Sequence, residues 1–481
     1  MSDLKNIIDR RHPDYLLTAP RWEFLHSAVF DDSKVFAMDV LEKLVGESDE
    51  TYAVRKRLVW RDNLCRILLD TVWGYLKQDG PAREDKGVPE VVKRFVKSAD
   101  LDGQDLTSFL LSAGYKAAVM GVSYIIVDQA KNLKGHYDPD LRTYAYVVSP
   151  LDVVDVAYDE AGTMLWAMIR EYYRDVGDPL TATGDTNVRY RLWTKDAWML
   201  FDDQGERMAD ESGMDMSGKH KAGRVPVVPV FHGGTRVTPY KGLSLLDGVA
   251  DKDAAIVNLW SQLMRSIAAT AMPIPTIPAT DVAANLVVAD PTDTELVNEV
   301  DARLRSYLQL SQESAFIYDA QASDGPRYLV WDAANIGPIR EVLESLRKSV
   351  FSNLGLGGQA TEKAGVESGV AKAYDFHAAN KRCAAIADTL EVAEKTIIEI
   401  VGNYNGVSTA NYATDWPEDF DVQTMAARID EYTELLLLVE SKSFRAALQK
   451  KLMADALPKA DRSAMEAEVE AATSAEMPEI E

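Results

Sequence analysis

"VVSPLDVVDVAYDEAGTMLWAMIREYY", residues 147–173, is where the apolar period of the chain shortens. β-Branched and aromatic residues cluster on both sides of Asp159-Glu160-Ala161-Gly162, and that tetrapeptide supplies the residue types of a tight turn. The stretch therefore predicts two antiparallel strands joined by a hairpin. The same short period recurs in "VSYIIVD" (122–128), "TYAYVVSP" (143–150), "VRYRLWT" (188–194), "AWMLFD" (197–202) and "VPVVPVFH" (225–232), with turns such as "DDQG" between them. An antiparallel meander over about 122–235 is the economical reading.

On both sides of this block the period lengthens to that of helices. Residues 1 to about 121 read mainly as helix, with Tyr52, Leu58, Val59, Cys65, Leu68, Leu69 and Val72 marking an amphipathic face. After "HGGTRVTPYKG" (232–242) a long helix is expected from Leu243 to Met272, in which Leu246, Val249, Ile256, Val257, Trp260, Leu263, Met264 and Ile267 form a stripe that Asp253 interrupts. The prolines of "MPIPTIP" (272–278) end it and favour an extended, polyproline-like exit. Residues 273 to about 335 mix a short helix, "DTELVNEVDARLRSYL" (293–308), with the strand-like pieces "SAFIYDA" and "PRYLVWD". Pro338 then suits a first helical turn, and Ile339, Val342, Leu343, Leu346, Val350 and Leu354 continue a helix that stops at Gly355. From Val370 through Ile386, Leu390, Ile397 and Val401 runs a further helix, roughly 50 Å long at about 1.5 Å per residue. A turn-rich break (402–420) separates it from a last helical region (425–453) and an acidic tail, whose final eighteen residues hold six Glu and no Lys or Arg.

Composition narrows the function. With 481 residues, 47% of them hydrophobic, the chain can build about three domains at roughly 150 residues each. The 52 Lys and Arg against 76 Asp and Glu leave a formal charge of −24, opposite to the basic footprint of a protein that grips a phosphate backbone. Cys65 and Cys383 stand apart in helical stretches, so neither a disulfide framework nor a zinc knuckle is expected, and a reducing cytoplasm fits. The opening "MSDLKNIIDRRHPDYL" lacks a signal-peptide core, and no apolar run is long enough for a membrane span.

Two glycine-containing stretches invite a nucleotide-dependent enzyme as the alternative reading. "LGLGGQATEKAGVESG" (354–369) spells G-x-G-x-x-A from Gly355 to Ala360, yet it follows a helix, whereas a dinucleotide fingerprint follows a strand. "GMDMSGKH" (213–220) has a Walker-like spacing from Gly213 to Lys219 but places His220 where the Mg²⁺-binding hydroxyl belongs, between strand-like runs. The six histidines occur singly, without metal-ligand spacing. "SLRK" at Ser345 to Lys348 lies within a helix that already explains it. The expectation is no catalytic residue, no metal and no cofactor.

The order of segments resembles that of the portal proteins of tailed bacteriophages over roughly residues 45–450. Three stretches carry the likeness. "GESDETYAVRKRLVWRDNLCRIL" (46–68) resembles the portal N-terminal segment, in which a Gly, an aromatic and a basic cluster precede an Asn in a helix. Residues 147–173 look like the portal strand pair with S-P at its start and D-E-x-G at the hairpin. "ESGVAKAYDFHAANKRCAAIADTLEVAEKTI" (367–397) is similar to the Ala-rich helix after the tunnel loop.

The resemblance implies an α+β, portal-like fold. Residues 1–242 would form the wing, 243–272 and 338–354 the two stem helices, 273–337 a small mixed α/β clip, and 355–366 the tunnel loop. The long wing helix and its connector would span 367–415, and the crown with the acidic tail 416–481. It also implies a non-enzymatic ring, usually dodecameric, at one capsid vertex of the virion, assembled in the bacterial cytoplasm. Double-stranded DNA would pass through this ring during packaging and ejection. Its implied partners are the terminase large subunit, head-completion and tail adaptor proteins, and the major capsid and scaffolding proteins; no membrane and no cofactor is implied. Gly355, Gly357, Gly358, Gln359, Thr361 and Lys363 would face DNA, and Arg303 and Arg305 would dock partners. Trp260, Leu263, Leu346 and Val350 would join neighbouring stems, because amphipathic helices need cover for faces that one subunit leaves bare. An acidic wall suits such a channel, since each neutralised phosphate would add friction. A different ring adaptor of the virion is the remaining alternative.

Overall fold

The computed structural model describes residues 7–78, 80–84, 86–129, 142–174, 184–209, 216–271, 274–278, 316–318, 328–329, 334, 336–352, 369–418, 420, 441–456, 465 and 468–469. The fold is mixed α and β, with helices before, after and packed upon separate small sheets. The chain divides into two units, 1–419 and 420–481.

The N-terminal part of the first unit is a run of short, well-capped helices. Helix α1 (Pro13–Phe30) starts with His12 Nδ1 accepting from the Asp14 amide, and Pro13 occupies the first turn, where its missing N–H costs nothing. Helices α2 (Ser33–Val40), α3 (Asp49–Leu58) and α4 (Leu64–Leu76) begin behind Asp32, Ser48 and Asn63, each side chain accepting an orphan amide of the first turn. In α3, Asp49 and Glu50 lie in the first turn and Arg55, Lys56 and Arg57 in the last, matching the helix dipole. The amphipathic stripe anticipated across 52–76 is thus broken: the chain is extended at Val59 and restarts at the Asn63 cap, which leaves Leu58 exposed while Val59, Cys65, Leu68, Leu69 and Val72 are buried.

Helices α5 (Glu90–Lys97) and α6 (Leu106–Met120) lead into the sheets. Helix α6 ends at Gly121 in the left-handed conformation, and a Cβ there would lie 2.6 Å from the Gly242 carbonyl oxygen. A Cβ on Gly242 would in turn strike the Gly121 carbonyl, so two glycines let these backbones cross.

The β region is two sheets, not one meander. Strands β4 (Val153–Tyr158), β5 (Met164–Arg174), β6 (Thr186–Thr194), β7 (Ala197–Asp202) and β8 (Ser217–Lys219) do form a consecutive antiparallel meander, with the Asp159–Gly162 turn where the sequence placed it. Strand β2 (Val122–Gln129), however, pairs with β3 (Thr143–Val148) on one side and with the returning β9 (Val227–Phe231) on the other. The cause is burial: Val122 to Val127 are covered on both faces, as suits a central strand with helices packed on it. A further short pair joins β1 (Ala82–Glu84) to β13 (Ala413–Asp415).

Helix α7 (Val249–Ala271) is followed by β10 (Ile274–Pro278), β11 (Phe316–Tyr318), β12 (Tyr328–Leu329) and helix α8 (Ile336–Ser352). The proline-rich exit is a strand, not a free polyproline segment. It pairs in parallel with β11 through Thr276 to Pro278 and antiparallel with β12 through Ile274 and Pro275, so its two neighbours take different parts of it.

Helix α9 (Gly369–Asn405) is 37 residues long, about 55 Å at 1.5 Å per residue. Its residues Cys383, Ile386, Leu390, Ala393, Ile397 and Val401 are buried at three- and four-residue steps, which makes it a spine of the first unit. Each large side chain sealed there is worth about 1.5–3 kcal/mol of apolar burial. In the second unit the described helix is α10 (Lys442–Ala456).

Candidate functional site: the α7–α8 helix pair

Helix α7 starts at Val249, six residues later than its apolar stripe suggests. Ser244 accounts for the delay: its hydroxyl donates to the Ala118 and Val119 carbonyls (3.2 and 2.6 Å), and the Leu245 amide bonds Ala118 O at 2.9 Å. Residues 243–248 are therefore fastened to the end of α6, and Gly248, at φ 75°, turns the chain into the helix. Helix α8 is described over 336–352 with Pro338 in its first turn, and it starts two residues ahead of the range expected.

The base of α7 meets the end of α8, where Lys252 Nζ donates to Ser349 Oγ at 2.8 Å, so the two helices run antiparallel. Of the four residues assigned to contacts between stems, Leu263 and Val350 are buried within the chain itself. Leu346 is half-buried, and Trp260 is half-buried with its ring edge-on to Trp60 at 5.0 Å. Met264 and Ile267 continue the Trp260 stripe and are 44% and 40% exposed, and Val342 on α8 is 48% exposed. The pair thus keeps an apolar seam inside and leaves Met264 and Ile267 of α7 and Val342 of α8 part-exposed.

Charged side chains bind this pair to the N-terminal helices. Arg21 of α1 makes a fork to Asp251 (2.6 and 2.7 Å) and reaches Asp247 at 3.0 Å. Arg55 of α3 pairs with buried Glu47 at 2.8 Å and donates to Ser261 Oγ at 3.1 Å. Arg347 of α8 bonds Asp62 at 2.8 Å. Deepest is Arg61, whose Nη2 lies 3.2 Å from Asp253 Oδ2, each side chain only 1% exposed. Arg61 also donates to the Ala28 carbonyl and stacks on Phe36. Burial pushes the Asp253 carboxyl up to about 6, because the Arg61 guanidinium and the thiol and amide of Cys65 only partly offset desolvation. The same burial lowers the Arg61 pKa.

Sequence reasoning read Asp253 only as a break in the stripe and did not single out Arg61, Arg55 or Glu47. One signal was present: an Asp on the apolar face of a helix needs a buried partner. Gly355, Gly357, Gly358, Gln359, Thr361 and Lys363, and likewise Arg303 and Arg305, lie outside the described residues. Of the Walker-like stretch, Ser217 to Lys219 is the edge strand β8, paired with β7, and the His220 ring contacts the Thr194 carbonyl, so the segment does not enter a helix. Among the described residues no cluster of His, Cys, Asp or Glu could hold a metal, and no helix is long and apolar enough to cross a membrane.

No family model and no curated protein matches the chain. Among solved structures it is similar to a chain described as "Neck of empty GTA particle computed with C6 symmetry", at 11% identity and a TM-score of 0.40, over 87% of this chain and 98% of that one.

Proposed function

We propose that this protein is a portal subunit, assembling into a ring at one vertex of a phage-like capsid through which DNA is packaged, retained and ejected. The observation that carries the reading is the arrangement around the α7–α8 pair. Two antiparallel helices bracket a small sheet, β10 to β12, and a 37-residue helix follows them. This is the order in which a portal stem, clip and long wing helix would follow one another. The part-exposed apolar side chains Met264, Ile267 and Val342 support a homo-oligomer, because apolar residues left bare on a helix pair ask for a partner.

On this reading the segment between the helices, 273–337, meets the terminase large subunit and later the tail-side adaptor, with Arg303 and Arg305 at the contact. Residues 355–366 line the channel, and their glycines give the backbone freedom to follow the moving duplex. Capsid and scaffolding proteins would surround the wing. The test separates these tasks. Arg303→Glu with Arg305→Glu should abolish capture of the terminase large subunit while particle size is unchanged. Gly357→Val with Gly358→Val should give normal procapsids that fail to package or retain DNA. Full packaging by both variants would overturn the proposal.

A further inference from the structure

The residues that fasten the α7–α8 pair to the N-terminal helices also mark its two flanks. On the first flank the chain at 60–62 crosses both helices: the Trp60 ring stands edge-on to Trp260 of α7, and Asp62 pairs with Arg347 of α8. At about 100° per residue, Met264 and Ile267 fall within roughly 40° of Trp260 around α7, so they share this flank. Leu58, two residues before Trp60, is 72% exposed. The opposite flank is marked by Asp251, about 180° from Trp260 around α7, onto which Arg21 of α1 forks. On α8, Val342 points about 140° away from Arg347, with buried Leu343 and Val350 between them, and so belongs to this second flank. Leu17, one turn before Arg21 on α1, is 82% exposed.

Apolar side chains are thus bare on two opposite sides of the same helix pair. A single self-complementary patch would stop at a two-fold dimer, whereas two different patches carry each copy on to the next and close a ring. The charges beside the two flanks differ in the sense that such a contact needs. On the first, Arg57 is exposed just ahead of Leu58 and has no ion partner among the described residues. Half-exposed Arg265, beside Met264, lies 3.7 Å from a Glu47 that Arg55 already holds. On the second, Asp247 and Asp251 share the one guanidinium of Arg21. Surplus positive charge on one flank and surplus negative charge on the other favour unlike flanks meeting and disfavour like ones.

We propose that neighbouring copies of this chain meet head to tail, the flank of Leu58, Trp60 and Met264 on one copy seating against the flank of Leu17 and Val342 on the next. The inference rests on the proposed ring and gives it a direction: every copy uses two different surfaces, and no two-fold axis relates neighbours.

Sedimentation velocity on full-length chains at micromolar concentration tests it with two double variants. One carries Leu58→Asp and Met264→Asp on the first flank, the other Leu17→Asp and Val342→Asp on the second. All four side chains are exposed, so both variants should keep the wild-type far-UV circular dichroism spectrum. Each variant alone should sediment as a 53.2 kDa monomer, because its intact flank finds no intact counterpart. Mixed in equal amounts, the two should form a heterodimer of twice that mass and stop there, since one contact joins the intact flanks and leaves two broken ends. Where wild type forms rings, a second-flank variant that still closes them, or a mixture that stays monomeric or grows beyond the dimer, would overturn the head-to-tail contact and leave the ring itself standing. A monomeric wild type would overturn both.

Discussion

Two buried carboxylates in the first unit are treated in opposite ways. Glu394, in the C-terminal half of α9, accepts from Arg83 Nε and Nη2 (2.7 and 3.0 Å), from the Tyr412 hydroxyl and from Trp416 Nε1 at 2.9 Å. The Trp416 amide is held by neighbouring Glu391 at 3.0 Å. Asp253, equally hidden, has one guanidinium at 3.2 Å, with the thiol and amide of Cys65 beside it. Full satisfaction of Glu394 locks β1, β13 and the residues around them onto α9, which is a structural task. The sparser shell of Asp253, dominated by a single guanidinium, leaves its charge less compensated than that of Glu394.

The largest expected effect breaks the satisfied site. Glu394→Ala would strand a largely buried Arg83 and should cost about 3–5 kcal/mol in urea unfolding. A cost below about 1 kcal/mol would mean that the cluster is ornamental and the contrast with Asp253 empty.

Next comes pH. The folded-state pKa of Asp253 is raised from 3.8 to about 6, so between those values the folded chain binds more protons than the unfolded one. Its contribution to stability should therefore fall as pH rises across that window, by roughly 3 kcal/mol in total, and level off above it. The difference between wild type and Asp253→Asn isolates this slope from other carboxylates, because the variant cannot titrate. A flat difference from pH 4 to 6.5 would contradict the account of an under-compensated charge.

The smallest effect belongs to the rim. Arg347 and Asp62 are each about half exposed, 49% and 47%, so Arg347→Ala should cost less than about 1 kcal/mol and less still in high salt. A loss as large as that from Glu394→Ala would place this pair in the core of the stability argument, where its exposure says it does not belong.

Much of the fold was legible because local period and turn chemistry agree with the tertiary structure. The hairpin at Asp159–Gly162, the strands from 122 to 232 and the helix over 369–405 all follow from spacing alone. What escaped depended on contacts distant in sequence. Nothing near Val227 announces that β9 returns to β2, since strand order is settled by what covers each face. The apolar stripe from Leu246 onward looks helical, but Ser244 binds α6 and Gly248 delays the helix. The apolar spacing of α7 and α8 shows that they are helices and is silent about sides: Leu263 and Val350 are buried, while Met264 and Ile267 are part-exposed. Asp253 and Arg61 were readable only as a pair, because neither residue alone states that the other is buried beside it.

The central claim, that copies of this chain close into a ring through the α7–α8 face, is tested most directly by mass photometry and electron-microscope class averages. Wild type should be compared with a Met264→Asp, Ile267→Asp double variant. The account predicts that wild type gives a single closed ring whose mass is a whole multiple of 53.2 kDa. The double variant, changed only where the side chains are part-exposed, should fall to monomers or irregular small oligomers with an unaltered far-UV circular dichroism spectrum. A wild-type protein that stays monomeric at micromolar concentration, or a double variant that closes the same ring, would contradict it.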